Sequence, residues 1–230
     1  GYIDLTMKIM SNFGVKITEN NGVYSASGDF STTNTVIEGD WSQACFFLSA
    51  GALGGEIKIK GLDFDSTQGD MSVNELYKNF VKKKKKKETY LFVKSNKLNA
   101  IEIDCSQIPD AVPALAIVAA MSQGKTKIYG GERLRIKETD RIKTVVDGLT
   151  AMGIKVEELE DGMIITGGKP KGSRVLGTGD HRIVMAFSVL AAYAEGETVI
   201  EGYKAINKSY PLFFQDFKKL GGKANVITDR

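Results

Sequence analysis

A chain of 230 residues is long enough to bury a sizeable core, and 31 Lys plus Arg against 28 Asp plus Glu leave a net charge of only +3, too slight to argue for a nucleic-acid or membrane partner. The two cysteines, Cys45 in an apolar segment and Cys105 beside an expected strand, make no disulfide framework and, with the single histidine His181, no zinc site of familiar spacing; a reducing compartment fits them best. No apolar run reaches membrane-spanning length and no signal core opens the chain, so the sequence reads as cytoplasmic, with neither membrane nor nucleic acid as partner.

Residues 1–36 start partway through a pattern. Apolar residues at positions 2, 5, 9 and 13 predict an amphipathic helix ended by Gly14. Residues 15–18 and 22–27 then read as two strands joined by Asn20-Asn21-Gly22, a strong hairpin signal. A helix followed by a hairpin is the back half of a unit that returns three times later. The expectation is therefore a fragment of a longer protein, with 1–36 ending the last unit of a partner domain.

The repeat is marked by Asp40, Asp110 and Asp180, which lie 70 residues apart and each open an apolar run. After each run come a glycine (Gly55, Gly124, Gly196), a short alternating strand (57–59, 126–128, 198–200), another glycine (Gly61, Gly130, Gly202), a polar loop and a second helix. This divides the rest into units of about 37–99, 100–172 and 173–230, together one three-unit domain. In the first, Trp41, Ala44, Cys45, Leu48 and Ala52 form one helical face for the core. Six lysines, Lys82 to Lys87, follow where the other units place a glycine and a strand. Such a run repels itself and predicts an exposed, poorly ordered edge. The second unit's helix is apolar on every side, which predicts burial all round, and Pro113 in its first turn costs little there. The third unit's helix, from His181 onward, is again apolar beyond its first turn.

Polar residues thus cluster at the helix starts. Parallel buried helices that start at equivalent points turn their free N–H groups and positive dipole ends to one surface, a seat for anions. The three aspartates also suit helix N-caps. The equivalent loops at 66–70, 135–140 and 207–210 should gather at one end, and they place Lys137 and Lys208 at nearly matching points. Arg133 to Arg141 packs four cations and two carboxylates into nine residues between a strand and a helix. Asp180-His181-Arg182 adds an imidazole and a guanidinium at the same end.

On the motifs Glu38-Gly-Asp40, Gln68-Gly-Asp70, Ile108-Pro-Asp-Ala111, Arg135-Ile-Lys-Glu-Thr-Asp-Arg141, Gly179-Asp-His-Arg182 and Asn207-Lys-Ser-Tyr-Pro211, the sequence resembles the enolpyruvyl transferase family, in particular its branch acting on shikimate 3-phosphate. The resemblance runs essentially end to end. It implies an inside-out α/β barrel of βαβαββ units with helices buried and sheets outside, and a second domain across the active site. It implies transfer of the enolpyruvyl group of phosphoenolpyruvate to the 5-hydroxyl of shikimate 3-phosphate, releasing phosphate through a tetrahedral intermediate, with no metal or organic cofactor. It gives Arg141, His181, Arg182 and Lys208 to phosphoenolpyruvate, and Lys137 and Tyr2 to the phosphoshikimate. Asp110 would accept the 5-hydroxyl proton and Glu138 would protonate the methylene carbon. The family's N-terminal half, including a short strand added to this domain, is absent, so this chain is expected to be inactive alone. Arg133 stands where some members have asparagine and is left out of the site. Two alternatives stay open: the sister enzyme acting on UDP-N-acetylglucosamine, and a noncatalytic repeat module that binds anions or nucleic acid.

Overall fold

The computed structural model describes residues 2–80, 83–87, 90–94 and 97–227. Helix α1 (Tyr2–Asn12) leads into the antiparallel hairpin β1 (Lys16–Asn20) and β2 (Val23–Ser27). The turn needs two residues at positive φ, supplied by Asn21 at 51° and Gly22 at 78°, the pairing that two-residue hairpins favour. The apolar stripe of α1 is only partly covered: Leu5 and Phe13 are half-buried, Tyr2 and Ile9 are exposed, and no residue of that helix is buried.

Three rounds of helix, strand and second helix follow. The first holds α2 (Trp41–Leu53), β3 (Glu56–Lys60), α3 (Val73–Phe80), β4 (Lys83–Lys87) and β5 (Tyr90–Lys94). The second holds β6 (Glu102–Asp104), α4 (Val112–Ala119), β7 (Lys125–Tyr129), α5 (Arg141–Ala151), β8 (Lys155–Leu159) and β9 (Gly162–Thr166). The third holds β10 (Arg174–Leu176), α6 (His181–Ala191), β11 (Val199–Glu201) and α7 (Phe213–Lys219).

Helices α2, α4 and α6 pack on one another pairwise and fill the interior. Every residue of α4 is buried, as an all-apolar sequence requires. Helix α2 is buried well beyond the stripe expected from Trp41, Ala44, Cys45, Leu48 and Ala52, with Phe46, Phe47 and Leu53 also inside; it carries no charged residue to hold any face in water. The sheets lie outside these helices. One runs β6-β7-β9-β8, with β6 parallel to β7 and the other pairs antiparallel. Thr126 and Ile128 of β7 are turned inward while Lys125 and Lys127 stay exposed, the two-residue alternation of a sheet with one wet face. A second sheet runs β3-β5-β4, and the third is the parallel pair β10-β11. The architecture is the inside-out α/β arrangement of buried helices and outer sheets.

The lysine run takes a more regular form than its charge suggests. Lys83–Lys87 make β4, the edge strand of its sheet, with Lys85 opposite Phe92 of β5; Lys82 lies outside the described residues. Lysine is a poor strand former, so the pairing is led by the Tyr-Leu-Phe-Val sequence of β5, and lysines on an edge discourage further strand addition. Among the described residues no helix is long and apolar enough to cross a membrane.

Candidate active site

Arg141 is the first residue of α5, a helix capped by Asp140, which accepts the Lys143 N–H at 3.0 Å. Its side chain is 1% exposed, and each guanidinium nitrogen donates to a different carboxylate. Nε meets Asp180 Oδ2 at 2.7 Å, Nη1 meets Asp110 Oδ1 at 2.7 Å and Nη2 meets Glu138 Oε2 at 2.6 Å. A buried cation is tolerated only with such compensation. Three charge-assisted bonds supply it, and they hold the guanidinium charged.

The loop before α5 is fixed by Arg135. Its nitrogens bond the Glu160 and Leu159 carbonyls at 3.1 and 2.6 Å and the Asp140 and Glu158 carboxylates at 2.9 and 2.6 Å. The loop is thereby pinned to the turn between β8 and β9, leaving Lys137 and Glu138 to face the helix starts.

The three repeat aspartates diverge at this end. Asp40 caps α2 through the Gln43 N–H at 3.1 Å, and Asp180 caps α6 through the Arg182 N–H at 2.8 Å. Asp110 caps nothing: it lies inside the 3-10 turn Pro109–Ala111, and α4 begins with no side-chain cap. Its carboxylate instead receives Arg141, Arg182 Nη2 at 3.3 Å, the Tyr2 hydroxyl at 3.2 Å and, as an ion pair, Lys137 Nζ at 3.4 Å. Burial pushes its pKa up, but Arg182, Arg141 and Lys137 outweigh burial and hold it down at about 2.

Glu138 is gripped from two sides, by Arg141 and by Lys208 Nζ at 2.5 Å. Burial again acts upward, and Lys208, the backbone and Arg141 bring the carboxyl down to about 2. His181 is 4% exposed, its Nδ1 has no hydrogen-bond partner, and burial followed by the Arg182 charge pushes its pKa below 6.5, leaving a neutral imidazole. The Tyr2 phenol is pushed up to about 12 by burial and by Asp110 and Asp70.

All eight residues singled out by sequence therefore fall in one cluster: Tyr2, Asp110, Lys137, Glu138, Arg141, His181, Arg182 and Lys208. Arg133 is exposed. Two members escaped sequence reasoning. Asp180 read as a cap and proves also to pair with Arg141; the signal was an arginine opening a helix with a buried face, which demands a counterion. Asp70 is 5% exposed, accepts the Ser42 hydroxyl through Oδ2 and leaves Oδ1 without a partner; chiefly burial raises its pKa. Among the described residues no group of three or more His, Cys, Asp or Glu is placed to hold a metal ion. What the cluster offers is a set of cations suited to anionic oxygens, with carboxylates held among them.

The profile of EPSP synthase (3-phosphoshikimate 1-carboxyvinyltransferase) matches residues 1–217. This chain belongs to the EPSP synthase family. The 3-phosphoshikimate 1-carboxyvinyltransferase of Clostridium novyi is 42% identical over 226 residues, 96% of this chain and 52% of that protein. That of Pyrococcus furiosus is 43% identical over 223 residues, 95% of this chain and 55% of that protein. An EPSP synthase structure from Acinetobacter baumannii superposes with a TM-score of 0.82 at 28% identity, covering 95% of this chain and 54% of that one. The enolpyruvyl transferase NikO of Streptomyces tendae shares the fold, with a TM-score of 0.73 at 17% identity over 94% of this chain and 52% of its own. The chain thus spans about half the length of the EPSP synthases it matches.

Proposed function

We propose that this chain carries the phosphoenolpyruvate-binding and proton-transfer face of a 3-phosphoshikimate 1-carboxyvinyltransferase, completed by a part matching the other half of its relatives' length. Phosphoenolpyruvate and shikimate 3-phosphate are the substrates, and the reaction needs no cofactor. Arg141, Arg182, His181 and Lys208 hold phosphoenolpyruvate, because guanidinium forks and an ammonium suit carboxylate and phosphate oxygens. Lys137 and Tyr2 face the phosphoshikimate. Asp110 takes the proton of the 5-hydroxyl as its oxygen bonds to C2 of phosphoenolpyruvate, and Glu138 gives a proton to C3. Glu138, ionised by that transfer, then takes a proton back from C3 as the bond from C2 to the phosphate oxygen breaks and phosphate leaves. Relatives above 40% identity named for the shikimate reaction favour it over a UDP-sugar substrate. Two buried free cysteines favour a reducing compartment such as the cytoplasm. Residues 1–36 are read as the tail of the partner domain and 37–230 as the three-unit domain, with Tyr2 reaching Asp110 across the join.

The observation that carries this reading is Asp110, the repeat aspartate that does no capping and instead turns its carboxylate to Arg141, Arg182, Lys137 and Tyr2 at the shared end of the helices. A general base has to be an unprotonated acceptor within hydrogen-bond reach of the proton it takes. The test is Asp110→Asn in the enzyme reconstituted with its other half. Asparagine keeps the size and disturbs no cap, yet cannot take a proton. Turnover should fall by roughly 10²- to 10⁴-fold, the usual share of a general acid or base, with phosphoenolpyruvate affinity retained. A kcat within a few-fold of the parent would make Asp110 a mere counterion of Arg141.

A further inference from the structure

Asp180 has no part in the scheme above, although it is fully buried and both its oxygens are in use. Oδ1 accepts the Arg182 N–H at 2.8 Å, and Oδ2 accepts Arg141 Nε at 2.7 Å. A guanidinium is planar, so fixing Nε from one side leaves its two Nη groups to face the other. There they meet Asp110 and Glu138. The same carboxylate fixes the first turn of α6, from which the Arg182 side chain reaches Asp110. We infer that Asp180 is the positioning residue of the site, aligning Arg141 through its side chain and Arg182 through its backbone so that both guanidinium groups address one anionic ligand.

The inference rests on the reading that Arg141 holds phosphoenolpyruvate. Its rival is that Asp180 is a helix cap and nothing more. Asp40 provides the comparison: it caps α2 in the equivalent place, and among the described residues it forms no ion pair with an arginine or lysine. The two views differ in sign. Asparagine caps about as well as aspartate. In Asp180→Asn the capping oxygen is retained, while the atom facing Arg141 becomes an N–H₂ set against an N–H. Removing a negative charge near an anion site should, by Coulomb attraction alone, tighten anion binding. If Asp180 positions Arg141, the same change should weaken it.

The experiment is calorimetric titration of phosphoenolpyruvate into the chain and into its Asp180→Asn, Asp180→Ser, Asp40→Asn and Arg141→Ala variants, with thermal melts of each. Losing a hydrogen bond between charged groups should cost Asp180→Asn about 10- to 100-fold in affinity. Asp40→Asn should stay within about twofold, as a cap replaced by an equal cap. Binding by Asp180→Asn as tight as the parent's or tighter, with Arg141→Ala weakened, overturns the positioning role alone. An unaffected Arg141→Ala overturns the assignment of Arg141 beneath it. Asp180→Ser keeps a capping oxygen without the charge and serves if asparagine unfolds the chain. Should both fail to fold, the Nε–H resonance of Arg141 in the parent decides. It should stay protected from exchange as phosphoenolpyruvate saturates the site, and loss of protection would show that Asp180 lets the guanidinium go.

Discussion

Glu138 is held ionised in this geometry, because Lys208, its backbone and Arg141 outweigh burial and keep its pKa at about 2. A general acid has to carry its proton near the working pH. The same two cations are the ones proposed to hold phosphoenolpyruvate, and this resolves the conflict. An anion that takes Lys208 and Arg141 for itself leaves Glu138 partly buried beside a new negative charge, and both changes raise a carboxyl pKa. Binding should therefore draw a proton onto Glu138. Calorimetry at pH 7 in buffers of different ionisation enthalpy checks this: the chain should take up more protons per phosphoenolpyruvate than Glu138→Gln does. Equal uptake would sink the idea. A stability consequence follows with a defined sign. Asp110 and Glu138 sit below their ordinary 3.8 and 4.5, so their contribution is complete above those values and is lost as pH falls toward 2. The melting temperature should drop through that window, and drop less in the Asp110→Asn, Glu138→Gln double variant. The sequence made these charges legible, since cations and carboxylates at helix starts stand out against apolar helices. It hid which aspartate caps and which is left for chemistry. That depends on whether an α-turn or a 3-10 turn opens the helix, and Asp40, Asp110 and Asp180 look alike in that respect.

At the scale of elements, the site depends on how α5 lies against α6, since α5 begins with Arg141 and α6 with His181 and Arg182. They approach at Gly148, where an added Cβ would stand 2.3 Å from Phe187 Cζ. Glycine inside a helix ordinarily costs about 1 kcal/mol relative to alanine, so propensity alone predicts that Gly148→Ala stabilises. Packing predicts the reverse. Phe187 is fully buried, and forcing a methyl into such a contact costs about 1–3 kcal/mol. Gly148→Ala should lower the melting temperature and weaken phosphoenolpyruvate binding by tilting Arg141. A raised melting temperature would show that the helices can separate without penalty. Periodicity revealed the three apolar helices and the strand after each. It placed the α2 stripe of Trp41, Ala44, Cys45, Leu48 and Ala52 in the core, where they lie, without showing that this uncharged helix is covered on far more than that face, and it treated the lysine run by charge alone. Whether that run pairs was decided by β5, whose side chains a local reading of the lysines does not weigh.

At the scale of the whole molecule, a group of uncovered apolar residues lies in residues 2–37, ahead of the three-unit core, besides exposed ones within it such as Ile136, Leu176 and Leu212. Tyr2, Ile3 and Ile9 of α1 are 58%, 54% and 46% exposed, and Val36 and Ile37 are 93% and 91% exposed. Among the described residues the strand β3 has no parallel neighbour such as β6 gives β7 and β10 gives β11. Along it runs a groove lined by apolar residues such as Ile59 and Leu220 and by the polar Asp40, Lys58, Lys60 and Asp216. Both features are what a chain spanning about half of its relatives should leave open, and the proposal is that the other half covers them and brings the remaining substrate contacts. The core is already built without that half, because α2, α4 and α6 bury one another. Binding and turnover should therefore separate. Alone, the chain should fold, bind phosphoenolpyruvate weakly through Arg141, Arg182 and Lys208, and release no phosphate from the two substrates. A separately expressed polypeptide matching the rest of a relative such as the Clostridium novyi enzyme should restore phosphate release. Tyr2, Ile3 and Ile9 should become protected from solvent on mixing, by hydrogen exchange of α1. Rapid phosphate release by the chain alone would place the catalytic set entirely within these 230 residues and refute the division between halves. Restored turnover with α1 still unprotected would keep that division and move the interface elsewhere.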